Sequence, residues 1–215
     1  DPGSEYRYSI SPTVLGRLVE IWSGQSFDEF VEEKILKPLG MSDTSFWVEP
    51  DEQDRLASVY SLSDGGGLSP YAIEEVPFTQ RPALLEGAVG LVSTVPDFLR
   101  FSQMLLNDGE FDGVRILSRN TVDMITGNGL PQEILRTRSG GEGWALGNVS
   151  VVVDETAAEQ GAHAGEYRWN GSAGTGFWVD PTTETAIVTM WQSSPANPNQ
   201  LRERIRALVH QAIQD

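Results

Sequence analysis

At 215 residues, 39% hydrophobic and with six tryptophans, the chain holds enough apolar material for one sizeable core or two small ones. Its net charge of −16 argues against nucleic acid and anionic membranes as partners, and no apolar run approaches the roughly 20 residues of a membrane span. Cysteine is absent, which excludes disulfides and thiolate zinc sites without settling the compartment. His163 and His210 are too few and too scattered to suggest a metal site, and nothing else implies a cofactor.

The chain opens on Asp1-Pro2-Gly3, a turn sequence, without an initiator methionine. It reads as the interior of a longer protein, cut or processed at this point. Ser11-Pro12 is a helix start, a capping hydroxyl followed by proline in the first turn. Val14, Leu15, Leu18, Val19 and Trp22 fall on one face, and Gly24 ends the helix. A second helix starts at Ser26 with a capping box to Glu29 and an apolar stripe of Phe27, Phe30, Val31 and Ile35. Pro38 stops it, and the two helices are expected to pack as a pair. Residues 50–85 read as mostly irregular, with Arg55 to Leu62 open to helix or strand and a turn at Gly65-Gly66-Gly67.

A small apolar run, Gly87 to Ser93, leads to a helix capped by Thr94, with Pro96 in its first turn and Phe98, Phe101, Met104 and Leu105 on its buried face. Asn107-Asp108-Gly109 ends it. A short helix follows from Ser118 to Gly127, and residues 131–142 read as an exposed loop. From Trp144 the pattern changes to strands: Trp144 to Val153, Tyr167 to Ala173, Phe177 to Val179, and Ala186 to Trp191. The last, apolar on both faces, suggests a central strand, and the short turns favour an antiparallel meander. Asn197-Pro198 starts a closing helix with Leu201, Ile205, Leu208 and Ala212 at helical spacing. The expected class is α+β, with residues 1–140 mainly helix and loop and 141–215 a sheet covered by the final helix.

The densest signal is Glu166 to Pro181, EYRWNGSAGTGFWVDP, two β-prone runs around a glycine-rich centre. It reads as a strand, a tight turn and a returning strand. Gly171, Gly174 and Gly176 permit close backbone approach, as acyl chemistry requires when amides must face an oxyanion. An ordinary glycine-rich hairpin fits the same pattern, and the segment alone does not separate the two. Conventional nucleophile motifs are missing. Asn170 stands where a G-x-S-x-G elbow at Ser172 needs glycine, and no P-loop or dinucleotide fingerprint occurs.

Several stretches together resemble the serine β-lactamase-like family, which includes penicillin-binding proteins, class C β-lactamases and family VIII carboxylesterases. They are Pro2-Gly3, then Tyr8-Ser9-Ile10, then the run from Pro12 to Thr44 with its PLGM; EGAVGLVSTVPDFLRFSQMLLNDGEFDGVRILS in the middle; and WNGSAGTGFWVDP near the end. The resemblance spans nearly the whole chain and implies the C-terminal portion of a β-lactamase/transpeptidase-like fold. In that family S-x-x-K supplies the nucleophile and its activator, a tyrosine in Y-x-N relays the proton, and a K-T-G-like triplet borders the oxyanion hole. By this resemblance Tyr8 matches the tyrosine. Trp169-Asn170-Gly171 takes the triplet position, and Ser172 follows where the family uses a backbone amide as an oxyanion donor. Without it, Tyr8 reads as a core tyrosine beside a helix start.

Two departures shift the substrate class. Ile10 replaces the asparagine of Y-x-N and Trp169 the basic residue of K-T-G, which tilts the reading from β-lactams and D-amino-acid peptides toward simple short-chain esters. The S-x-x-K element itself is absent, since Val31 stands three residues before Lys34, and Lys34 three before Lys37. The resemblance therefore implies a serine esterase whose Ser-Lys pair lies outside this chain, with the chain inactive alone. Its expected partners are a small ester substrate, the missing N-terminal segment of the same protein, and a second copy through self-association. A non-catalytic binding or regulatory relative is the competing reading.

Overall fold

The computed structural model describes residues 3–63, 65–72, 78–138, 140–154 and 162–214. Along the chain come α1 (Ser11–Ser23), α2 (Phe27–Val31), a π-helical turn (Glu32–Leu36) and α3 (Lys37–Leu39). Strands β1 (Val59–Leu62) and β2 (Leu68–Tyr71) precede α4 (Val95–Leu106), β3 (Glu110–Phe111) and β4 (Val114–Arg115). Helices α5 (Arg119–Thr126) and α6 (Gln132–Leu135) lead to β5 (Glu142–Trp144), β6 (Ser150–Val152), β7 (Tyr167–Asn170), β8 (Gly176–Asp180) and β9 (Thr185–Thr189). The short β10 (Ser193–Ser194) and α7 (Leu201–Gln214) finish the chain. Two compact units result, one from residues 6–57 and 73–119, the other from 1–5, 58–72 and 120–215. No helix among the described residues is long and apolar enough to cross a membrane.

In the first of these units α1 ends, as expected, on Gly24 in the left-handed conformation (φ 74°). Its start differs. Ile10 occupies the N-cap and Ser11 is already helical, so the serine makes no side-chain cap. The helix pair packs through Gly16, where a Cβ would sit 3.2 Å from the Phe27 ring. The apolar stripe is only partly covered: Leu18 and Val19 are half-buried, while Val14, Leu15 and Trp22 are exposed, Trp22 to 76%. The second helix also runs past its expected stop. A π turn lets the Lys37 N–H reach the Glu32 carbonyl, the backbone accommodates Pro38, and Gly40 (φ 66°) ends the element. Buried Asp97 in the first turn of α4 accepts hydrogen bonds from the Asp43 N–H at 2.8 Å and the Thr44 hydroxyl at 2.9 Å. That carboxylate fixes the loop after Met41 onto the helix start.

The other unit is built on an antiparallel sheet in the order β5-β6-β7-β8-β9. The stretch expected as one strand from Trp144 is two, because Asn148 (φ 59°) turns the chain and the Ala145 N–H bonds the Val149 carbonyl at 2.9 Å. The expected central strand is β9, and it lies at the sheet's edge. Its apolarity on both faces belongs to an edge that pairs with no further strand among the described residues. The 131–142 stretch is not simply loop: α6 inserts Ile134 into the core, and Glu142 begins β5. Between residues 50 and 85, β1 and β2 form a hairpin, with β10 running parallel to β1. Pro70 is accommodated on the outer strand of that small sheet. Pro77 lies outside the described residues.

Helix α7 is tied to the sheet through charge more than through its leucines. Leu208 is 66% exposed, whereas Arg206 and His210, one turn apart, are buried. Beneath them lies Glu166, fully buried, with both carboxylate oxygens 2.7 Å from Arg206 Nη2. Arg168 joins from β7, 3.1 Å from Glu166 by one nitrogen and bonded to Glu142 of β5 by the other.

Candidate active site

Strand alternation places Arg168 among the ionic groups beneath α7 and leaves Trp169 to pack elsewhere, edge-on to the Trp144 ring at 4.6 Å. Trp169 pairs with Phe177 and exposed Asn170 with Gly176, which closes a five-residue turn, 171–175. The triplet residues and Ser172 are thus brought together on one hairpin. Strand β7 ends at Asn170, so Gly171 and Ser172 belong to the turn rather than to the strand expected to reach Ala173.

Three sets of bonds hold that turn. The Gly171 N–H donates to the Thr175 carbonyl at 2.7 Å, the Gly174 N–H to the Gly171 carbonyl at 3.2 Å, and the Ser193 N–H to the Ala173 carbonyl at 2.7 Å. Gly174 has φ 112°, and a Cβ there would lie 2.3 Å from the Trp191 ring. The glycines therefore serve close approach to the protein's own Thr175, Asn170 and Trp191. Ser172 is exposed at the tip, and its N–H has no hydrogen-bond partner among the described residues. A turn held by these bonds, with the Ser172 amide exposed at its tip, is a fit donor for a developing oxyanion.

Sequence reasoning missed the long-range support of this turn. Arg202, in the first turn of α7, donates from Nη2 to the Gly171 carbonyl at 3.0 Å. Its guanidinium lies 5.8 Å from the Trp191 ring centre. The available signal was a cation in the opening turn of a helix, where the helix dipole disfavours it.

Tyr8 belongs to the other unit. It precedes α1 and is 59% exposed, which removes the reading of a core tyrosine. The two lysines are surface groups, Lys34 paired with Glu33 at 2.7 Å and Lys37 with Glu32 at 2.9 Å. The hydrogen bond that Lys37 donates to Glu32, and the charge of that carboxylate, raise the Lys37 pKa, opposite to what an activating base needs. Both histidines are committed to structure. His163 Nδ1 lies 2.7 Å from the buried Asp180 carboxylate, and His210 Nε2 accepts from Arg206 Nε at 3.3 Å. Burial opposes ionisation of Asp180, but bonds from the Thr183 hydroxyl, His163 and the Thr182 N–H outweigh it and lower the pKa. Burial, then Arg206, lowers that of His210. No cluster of metal-ligating side chains occurs among the described residues. A hollow of about 390 Å³ beside β3 and β4 is lined by charges that satisfy one another, Arg115 with Glu110 and Arg119 with Asp108.

The sheet, its closing helix and the W-N-G hairpin coincide with a known family, whose beta-lactamase model matches residues 1–212. The chain belongs to the beta-lactamase family. It is 32% identical over 202 residues to an uncharacterized protein of Mycobacterium tuberculosis (strain CDC 1551 / Oshkosh), covering 90% of this chain and 50% of that one. It is 28% identical over 206 residues to Esterase EstB of Burkholderia gladioli, covering 88% and 50%. The solved structure of EstCE1, described as a hydrolase with promiscuous acyltransferase activity, matches with a TM-score of 0.83. That match covers 98% of this chain and 57% of EstCE1, and at 23% identity it carries the fold alone. The chain spans about half the length of the curated relatives it matches. The fold is the α+β β-lactamase-like fold that the motifs implied.

Proposed function

We propose that this chain supplies the proton-relay tyrosine and one oxyanion donor of a serine hydrolase acting on short-chain esters, with the Ser-Lys pair carried by a segment outside the 215 residues. The single observation that carries the reading is the exposed Ser172 N–H at the tip of the W-N-G hairpin, without a hydrogen-bond partner among the described residues. Esterase EstB, similar over 206 residues, supports the substrate class. So does Trp169, an apolar ring packed on Trp144 where a basic residue would bind a carboxylate.

The chemistry balances with these parts. A free tyrosine has a pKa of about 10, and a neighbouring lysine ammonium favours its phenolate. The serine Oγ bonds to the ester carbonyl carbon as its proton passes to Tyr8, and the carbonyl oxygen becomes an oxyanion facing the Ser172 N–H. Collapse breaks the bond to the alkoxy group, which leaves with the proton returned by Tyr8. Water then attacks the acyl-enzyme by the same route and regenerates the serine.

The test compares the 215-residue chain with a protein extended to the length of its relatives, using a short-chain p-nitrophenyl ester and a fluorophosphonate probe. The extended protein should turn over the ester and label on a serine outside these residues, while the chain alone should do neither. Turnover by the pure chain with labelling on one of its own serines overturns the mechanism. Turnover of a β-lactam in preference to the ester overturns the substrate class.

A further inference from the structure

We propose that Arg202 is a positioning residue that orients and polarises the Gly171–Ser172 peptide, making the Ser172 N–H an effective oxyanion donor. The inference rests on the function proposed above, in which that N–H faces the oxyanion. The Gly171 carbonyl and the Ser172 N–H belong to one peptide plane, and in a trans peptide they point in opposite directions. Fixing the oxygen therefore fixes the N–H. Arg202 Nη2 holds that oxygen at 3.0 Å from one side, and the Gly174 N–H adds a second donor at 3.2 Å. A cationic donor on the carbonyl also withdraws electron density from the amide nitrogen, which strengthens the N–H as a donor.

The placement of Arg202 is hard to explain by stability. It stands in the first turn of α7, where the helix dipole disfavours positive charge. Burial lowers its pKa, with only partial relief from Glu203, whose carboxylate is bonded to Asn197 at 2.9 Å. Its Nε is buried without a hydrogen-bond partner among the described residues. A desolvated cation with an unsatisfied donor opposes folding, and such a group persists where its remaining bond has a use. Here the bond ends on the one carbonyl whose peptide presents the exposed amide. Arg202 is itself anchored, since its N–H donates to the Asn197 side chain at 3.0 Å and its guanidinium lies against Trp191, the ring that also closes on Gly174.

The experiment uses the extended, ester-hydrolysing protein with Arg202→Met and Arg202→Lys. Arg202→Met should lower kcat by roughly ten- to a hundredfold with KM held within about threefold, as expected when a misplaced group costs transition-state contact rather than ground-state binding. Arg202→Lys, which restores a cationic donor to the Gly171 carbonyl, should recover at least part of that loss. Amide hydrogen exchange gives a readout apart from activity: Arg202→Met should speed exchange in residues 171–175 while β8 and β9 stay protected. An active Arg202→Met protein with unchanged kcat overturns this inference alone, as does loss of kcat with no change at 171–175. Absence of ester turnover by the unsubstituted extended protein overturns the function proposed above, and the catalytic part of this inference with it.

Discussion

Substituting Glu166→Gln tests what holds the closing helix to the sheet. The wild-type carboxylate is fully buried and sits between two guanidinium groups, Arg206 with 6% and Arg168 with 14% of its side chain exposed. Glutamine keeps the shape and one acceptor oxygen but removes the charge, and its amide NH₂ meets a guanidinium donor where the second carboxylate oxygen accepted. Arg168 retains the Glu142 carboxylate, whereas Arg206 loses its anionic partner Glu166 and keeps its bond to His210 Nε2 at 3.3 Å. Breaking a buried pair by removing one partner costs about 3–5 kcal/mol, because the other charge stays desolvated. For a protein of this size that corresponds to a drop of roughly 6–20 °C in Tm. Urea unfolding at pH 7 should show a lower midpoint with an unchanged slope. The control is Glu166→Leu with Arg206→Met, in which apolar groups replace both charges and stability should return to within about 2 kcal/mol of wild type. A Glu166→Gln protein that loses less than about 1 kcal/mol, or a double variant as unstable as the single one, would show that α7 is not held by these charges.

In the extended enzyme Tyr8→Phe should lower kcat by roughly 10²-fold, the scale for losing a general base. Its melting temperature should barely move, because the ring is 59% exposed; the reverse pattern removes Tyr8 from the mechanism. Gly174→Ala forces a Cβ into the Trp191 ring from a positive φ, so it should cost about 1–3 kcal/mol in urea unfolding and disable the turn's activity. Wild-type stability in that variant refutes the close approach. His210 is neutral in the fold, where burial and Arg206 hold its pKa below the unfolded value near 6.5. The unfolded chain therefore binds the proton first on acidification, so this contribution is complete above about pH 6.5 and shrinks as pH falls below it. His210→Gln should flatten the pH dependence of the urea midpoint in that window, and an unaltered slope refutes the assignment. The exposed Val14, Leu15 and Trp22, with the β9 edge that no described strand pairs, should make the isolated chain self-associate, which sedimentation velocity reads directly. A monodisperse monomer of 23.6 kDa refutes that expectation.

Local chemistry made part of this molecule legible from its residues alone. Gly24 ends α1 because only glycine takes a left-handed cap at no cost, and Thr94 caps α4 with Pro96 and Asp97 behind it, all within four residues of chain. The β7–β8 hairpin was visible because alternation and glycine act over a dozen positions, and the family motifs lie in the same stretch. What failed depended on what lies across space. Periodicity marks a face as apolar but does not say what covers it: the α1 residues that fall on one face include the exposed Val14, Leu15 and Trp22, while Gly16 makes the contact with Phe27. In α7 the same periodicity favoured Leu208, while the carboxylate of Glu166, forty residues earlier, draws in Arg206 and leaves the leucine in solvent. The edge position of β9 depends on strand order, which apolar content does not encode. The candidate site divides in the same way: Tyr8, Trp169, Asn170, Gly171 and Ser172 were named from motifs, whereas Arg202 reaches Gly171 across thirty-one positions. Only tertiary structure brings that cation to that carbonyl, because neither residue carries a local signal of the other.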